Sequence, residues 1–115
     1  MTEMLEEEIL RDMIRNISKL AILWIISRKT QSGYSVIKEM ERITNQHFRP
    51  GIIYPLLYKL EERGFISGQW VQKGRRQTKY YNVTEKGKEV LSRVGNLFEL
   101  PLKDALQDFL NGEHR

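Results

Sequence analysis

Seven consecutive apolar residues, Leu20 to Ile26, constrain this chain more than any other feature. Helix-spaced residues lead into them: Leu5, Ile9, Met13, Ile17, Leu20 and Trp24 recur at three- and four-residue steps between Met4 and about Arg28. A helix that is apolar around its whole circumference has to be enclosed, and 115 residues suffice for one domain with one core. The other elements are therefore expected to wrap around Leu20–Ile26. Asn16–Ser18 leaves open whether this is one helix or two, with Ser18 able to cap the second. The run is far shorter than the roughly 20 residues that cross a bilayer. The residues before it are acidic at Glu3, Glu6, Glu7 and Glu8, unlike the basic start of a signal peptide. The expectation is a cytoplasmic protein with no membrane partner.

Charge is distributed by region. Residues 1–14 carry a net −4, residues 15–48 a net +4, residues 49–83 a net +5 and residues 84–115 a net −1. A polyanionic partner would meet the middle of such a chain. The absence of cysteine excludes disulfide scaffolds, thiolate metal sites and cysteine nucleophiles. His47 and His114, the only histidines, are far apart, so no metal and no cofactor is expected. No nucleophile motif, phosphate loop or dinucleotide fingerprint is present, and the adjacent Glu61 and Glu62 read as a solvated helix face, so the chain is not expected to be an enzyme.

Beyond the central helix, Thr30–Gly33 reads as a loop. Ser32 is placed to cap a helix that carries Tyr34, Ile37, Met40 and Ile43 at helical spacing. After a connection over Asn45–Arg49, Pro50 occupies a first-turn position. A helix then runs from Gly51 to Arg63 with Ile52, Ile53, Leu56, Leu57 and Leu60 on one side, and Gly64 stops it. Pro55 lies only a turn inside, where its missing N–H costs little. Phe65–Gln72 and Thr78–Thr84 alternate as strands around a polar tip, Lys73–Gln77. One of Tyr80 and Tyr81 must face inward. Thr84 and Glu85 begin a last long helix that Pro101 kinks or restarts. The fold class is mainly α with a small β-hairpin. Its divisions are an N-terminal helical extension over 1–17, a winged helix–turn–helix over 18–84 and a long C-terminal helix over 85–115.

Two short helices and a basic-tipped hairpin match the geometry of B-DNA, whose major groove takes a helix while the hairpin reaches adjacent phosphates or the minor groove. The residues resemble the PadR-like family of transcriptional regulators. The resemblance rests on Gly33-Tyr-Ser-Val-Ile37, on Gly51-Ile-Ile-Tyr-Pro-Leu-Leu-Tyr-Lys-Leu-Glu-Glu-Arg-Gly-Phe-Ile66, and on Arg75-Arg-Gln-Thr-Lys-Tyr-Tyr-Asn-Val-Thr-Glu-Lys-Gly87. It covers about residues 18–90, and the length of the C-terminal part matches the compact subfamily. What it implies is a homodimeric repressor, bound to an inverted-repeat operator in double-stranded DNA and often released by a small molecule. It also implies the third helix in the major groove, the wing on the backbone and dimerisation through the C-terminal helix.

The residues expected to touch DNA are Ser32, Tyr34 and Lys38 at the second helix; Arg49, Gly51, Tyr54, Tyr58 and Lys59 on the third; and Lys73, Arg75, Arg76 and Lys79 on the wing. Tyrosine hydroxyls and Arg49 at a helix N-terminus suit phosphates. Four bases within seven wing positions, free of acids, suit a backbone or minor-groove contact. The expected dimer face pairs Leu5, Ile9 and Met13 of the first helix with Leu91, Val94, Phe98, Leu102, Ala105 and Phe109. These last keep coiled-coil spacing over a stripe wider than a domain of this size covers by itself. Trp24 and Phe98 are the candidate pocket for an apolar or aromatic effector, with Trp70 a further aromatic group that could line a cavity or shield the hairpin. The competing readings are a winged helix of another family, such as the MarR type, and a winged helix used for protein–protein interaction.

Overall fold

The computed structural model describes residues 2–99 and 101–112. The elements in chain order are α1 (Thr2–Arg28), β1 (Gln31–Ser32), α2 (Gly33–Thr44), α3 (Pro50–Glu62), β2 (Ile66–Lys73), β3 (Arg76–Val83), α4 (Glu85–Leu97) and α5 (Leu102–Leu110). The three strands form one antiparallel sheet in the order β1-β3-β2. Together they make a mainly helical winged helix–turn–helix.

α1 is unbroken through Asn16–Ser18, so the division expected at 17/18 falls inside a continuous helix. The change at that point is one of burial. Residues 2–17 are exposed, whereas Ile22, Leu23, Ile25 and Ile26 are enclosed by Val36, Ile37 and Met40 of α2, Ile53, Leu56, Leu57 and Leu60 of α3, Ile66 of β2 and Tyr81 of β3. The central run is not enclosed all round, because Trp24 remains 44% exposed. Trp24 stands between a pocket lined by Leu91 and Val94 of α4 and another lined by Glu39 and Arg42 of α2, with the Arg28 guanidinium 5.0 Å from its ring centroid. Ile52, expected inward, is also exposed. Tyr81 is the inward tyrosine of the pair.

The loop expected over Thr30–Gly33 contains a strand. Gln31 and Ser32 pair with Tyr81 and Tyr80 of β3. The buried Gln31 side chain donates through Nε2 to the Ile25 carbonyl (2.8 Å) and accepts from Ser35 Oγ at Oε1 (3.0 Å). Its polar atoms are thus satisfied, which is what burial of an amide requires. Two polar residues carry no alternation that would mark a strand; pairing with β3 makes one.

Thr84 caps α4, its hydroxyl accepting from the Gly87 amide at 3.1 Å and donating to the Gly64 carbonyl at 2.6 Å. Gly87 is required by close approach: a Cβ there would lie 2.2 Å from the Phe65 carbonyl oxygen. Of the two outcomes expected at Pro101, a kink or a restart, the structure has the restart: α4 and α5 are separate helices, with Pro101 at the N-cap of the second. Proline cannot donate the backbone bond that continuation needs. Residues 100 and 113–115, His114 among them, lie outside the described residues.

α5 contains no buried residue, and the N-terminal half of α1 projects likewise. The radius of gyration is 16.5 Å, against roughly 13 Å for a compact chain of about this length. No helix among the described residues is long and apolar enough to cross a membrane.

Candidate nucleic-acid interface

The N-terminus of α2, the outer side of α3 and the wing converge on one open cleft of about 660 Å3. Ser32, Gly33 and Tyr34 line it from α2, Tyr54, Tyr58 and Glu61 from α3, and Trp70, Arg76, Gln77, Thr78, Lys79 and Tyr81 from the sheet. Local chemistry builds each wall. Ser32 accepts from the Ser35 amide (3.2 Å) and opens α2. Asn45, at φ 54°, closes that helix in the left-handed conformation that asparagine tolerates. The turn into α3 is held by Glu41, which accepts from the Phe48 amide (3.1 Å) and pairs with His47 Nδ1 (2.7 Å) and Lys38 (3.6 Å). The Phe48 bond first, and then the proximity of His47 and Lys38, hold the Glu41 carboxyl below its ordinary 4.5.

The Gly-Tyr motif has a steric reason. Gly33 leaves room for the Tyr54 ring, whose Cε1 would stand 2.6 Å from a Cβ at that position. Tyr54 is thereby laid across the start of α2, while Tyr58, one turn on, is 64% exposed. Lys38 reaches over the Tyr34 ring, 5.4 Å from its centroid. Arg49 stands at the N-cap of α3.

The wing is longer than its sequence suggests. β2 and β3 stay in register to the pair Lys73–Arg76, so the turn is only Gly74-Arg75. Gly74 has φ 63° at the first turn position, where a twisted two-residue hairpin favours glycine. Arg75 and Arg76 are exposed at the tip. Lys73 is turned back along the sheet, its Nζ 3.2 Å from the Tyr80 hydroxyl.

Of the expected contact residues, Ser32, Tyr34, Tyr54, Tyr58, Arg76 and Lys79 share this cleft. Gly51 and Lys59 do not. They line a second groove on the other flank of α3, with Arg11, Arg15 and Lys19 of α1 and an apolar floor of Phe48, Ile52 and Leu56. Lys79 is engaged within the chain: its Nζ lies 2.7 Å from Glu61 Oε1. Glu61 is therefore not the solvated carboxylate that its sequence neighbours suggest. The hydrogen bond from Lys79 raises the Lys79 pKa above its ordinary 10.5, and burial pushes the Tyr81 hydroxyl above 10. Trp70 forms the outer wall at 65% exposure. Gly33, Glu61, Trp70, Gln77, Thr78 and Tyr81 line the cleft without having been expected as DNA contacts, and Glu41 supports it from the α2–α3 turn. The sole sequence signal for Glu41, Glu61 and Trp70 is an acid or aromatic group beside bases in elements that the fold brings together.

Trp24 and Phe98 lie on the same surface pocket. With Ile17, Leu20, Ala21, Leu91, Val94 and Gly95 they line an apolar cavity of about 320 Å3 between α1 and α4. Leu91 packs against the core of its own chain. Leu5, Ile9, Met13, Phe98, Leu102 and Phe109 are exposed.

Comparison with known proteins agrees with this architecture. Residues 22–93 match the model of the transcriptional regulator PadR-like family. The transcriptional regulator YqjI of Escherichia coli is 36% identical over 75 residues, which is 64% of this chain and 35% of that protein. The chain thus spans about a third of the length of the curated relatives it matches. A PadR-like transcription factor from Bacteroides fragilis superposes with TM-score 0.74 at 20% identity, over 91% of this chain and 97% of that one. Bacillus subtilis PadR, solved in complex with operator DNA, gives TM-score 0.59 at 30% identity, over 67% of this chain and 45% of that one.

Proposed function

Because the chain belongs to the transcriptional regulator PadR-like family, we propose that it is a cytoplasmic, homodimeric repressor that binds an inverted-repeat operator and is released by a small apolar or aromatic molecule. Membership of that family supports regulation of transcription by binding DNA. The observation that carries it is the single cleft uniting the N-terminus of α2, the face of α3 with Tyr54 and Tyr58, and the wing. In this reading α3 enters the major groove. Arg49, Lys38 and the hydroxyls of Ser32, Tyr34, Tyr54 and Tyr58 hold phosphates and set register. Lys73, Arg75 and Arg76 grip the backbone beside the groove. Gly51 has no heavy atom within 4 Å of where a Cβ would stand, so a phosphate can approach the start of α3, with Lys59 on the flank beyond. Bacillus subtilis PadR in its complex with operator DNA supports DNA as the partner.

Dimerisation is favoured by the apolar faces that a lone chain leaves in water. Leu5, Ile9 and Met13 on α1, and Phe98 and Leu102 at α4–α5, are exposed; with Leu91, Val94, Ala105 and Phe109 they form the proposed two-fold contact. The expected divisions then become roles: α1 residues 1–17 and the stretch 85–115 assemble the dimer, and 18–84 read DNA. The cavity holding Trp24 and Phe98 abuts that contact and is the proposed effector site. No chemical step is assigned to the chain.

The wing assignment is tested by replacing Arg75 and Arg76 with alanine. The double variant should bind every duplex more weakly. The slope of log K against log salt should be shallower by about 3 to 4 for four lost phosphate contacts per dimer. An unchanged slope, or a loss confined to one sequence, would remove the wing tip from the backbone.

A further inference from the structure

Lys79 and Glu61 sit on different elements, 18 residues apart, and meet only because the chain makes a passage for them. Lys79 of β3 pairs across the sheet with Trp70 of β2, and Gly68 pairs with Tyr81, so these four residues share one face of the wing. Glu61 lies in the last turn of α3. The Lys79 stem crosses Gly68 to reach it: a Cβ at Gly68 would stand 2.3 Å from Lys79 Cε and 2.9 Å from Glu61 Oε2. Any side chain at residue 68 would occupy the path. The ammonium lies 5.7 Å from the Trp70 ring centroid and 5.5 Å from that of Tyr81, within cation–π range of both. About a quarter of each side chain remains exposed, 26% for Lys79 and 28% for Glu61. The pair is thus shielded on several sides yet stands in the wall of the proposed DNA cleft.

We propose that Glu61 and Lys79 are positioning residues, a latch that sets the angle of the wing against α3, and that Lys79 is not a phosphate ligand. The inference rests on the DNA-binding reading above and deepens it. A helix and a hairpin that engage neighbouring features of one duplex must hold a constant separation, or each contact is made at the expense of the other. Backbone bonds tie the wing to the helical core only as far as Tyr80, where β1 pairs with β3, and the two long strands run on past Lys79 to the tip without that support. The latch supplies it at the level of Trp70. Its cost is one cation of the basic middle region, cancelled by Glu61. This distinguishes Lys79 from Arg75 and Arg76, whose charges remain exposed at the tip.

The two roles predict opposite signs, which two variants read. Glu61→Gln keeps the shape and removes the acid; Lys79→Met keeps the stem over Trp70 and Tyr81 and removes the charge. Each is titrated by fluorescence anisotropy, across a salt series, against a duplex enriched from a random pool by the unaltered chain and against its shuffled counterpart. Circular dichroism melting verifies the fold of both.

The latch predicts that both variants lose roughly tenfold or more in affinity for the enriched duplex. Binding to the shuffled duplex should stay within about twofold, and the salt slope of Lys79→Met should be unchanged. A phosphate-binding Lys79 predicts that Glu61→Gln tightens binding to both duplexes. It also predicts that Lys79→Met weakens both alike with a slope shallower by about 2 per dimer. Either of those results, or two variants indistinguishable from the unaltered chain, would overturn the proposal. If the unaltered chain enriches no duplex, the DNA-binding reading itself fails, and the latch with it.

Discussion

Gly87 offers the sharpest test of the packing, because two effects of known sign compete there. Replacing a helical glycine by alanine ordinarily stabilises, by about 1 kcal/mol in a helix interior. At this position the added Cβ would meet the Phe65 carbonyl oxygen at 2.2 Å and Val83 Cγ2 at 2.8 Å. Ordinary contact begins near 3.4 Å, so α4 and the start of β2 must part by about 1 Å. The Phe65 carbonyl cannot simply turn away, since it accepts from the Thr84 amide at 3.1 Å. Thr84 in turn donates to the Gly64 carbonyl at 2.6 Å, so displacing the helix loosens its cap as well.

Overpacking against backbone costs about 1–3 kcal/mol, and loss of a threonine cap about 1 kcal/mol. The clash and the loosened cap together outweigh the propensity gain, and Gly87→Ala should be destabilised by about 1–3 kcal/mol. For a domain of this size each kcal/mol moves Tm by about 4–8 °C. Thermal unfolding followed by circular dichroism, at one protein concentration for both chains, should give a Tm lower by about 4–24 °C. A Tm equal to or above that of the unaltered chain would refute the close approach of α4 to β2.

Two further outcomes follow from the same structure. Phe98→Glu with Leu102→Glu should convert a dimer into a folded monomer by sedimentation velocity, because it buries charge in the proposed contact; a dimer that persists would refute that face. Glu41, held below 4.5 mainly by the Phe48 amide, stabilises the α2–α3 turn fully above its unfolded value and loses that effect as pH falls through the lower folded value. Melting profiles should therefore show Glu41→Gln less sensitive than the unaltered chain as pH falls below about 5, and superimposable acid limbs would contradict the role given to that carboxylate.

The helices were legible because their apolar spacing, caps and prolines agree with one another: Ser32, Pro50, Gly64 and Thr84 all stand where the sequence puts an end or a beginning. β1 was not, since two polar residues become a strand only by pairing with Tyr80 and Tyr81. The cleft was legible in outline for a similar reason. Tyr54, Tyr58 and the basic tip lie on elements whose order alone brings them together. Glu61 and Lys79 show where such reading stops. One carries the pattern of a solvated helix face and the other that of a DNA-facing base, and only the gap at Gly68 joins them. Trp24 marks the same limit, for an apolar run does not reveal which of its residues faces outward.

Selection from a randomised duplex pool tests most directly whether this cleft reads a particular DNA sequence. An inverted repeat with half-sites about one helical turn, roughly 34 Å, apart should be enriched. The enriched duplex should bind at least a thousandfold more tightly than its shuffled counterpart at physiological salt, in line with about 10³ or more for specific sites. Recovery of no common sequence, with equal affinity for enriched and shuffled duplexes at every salt concentration, would contradict that role of the cleft.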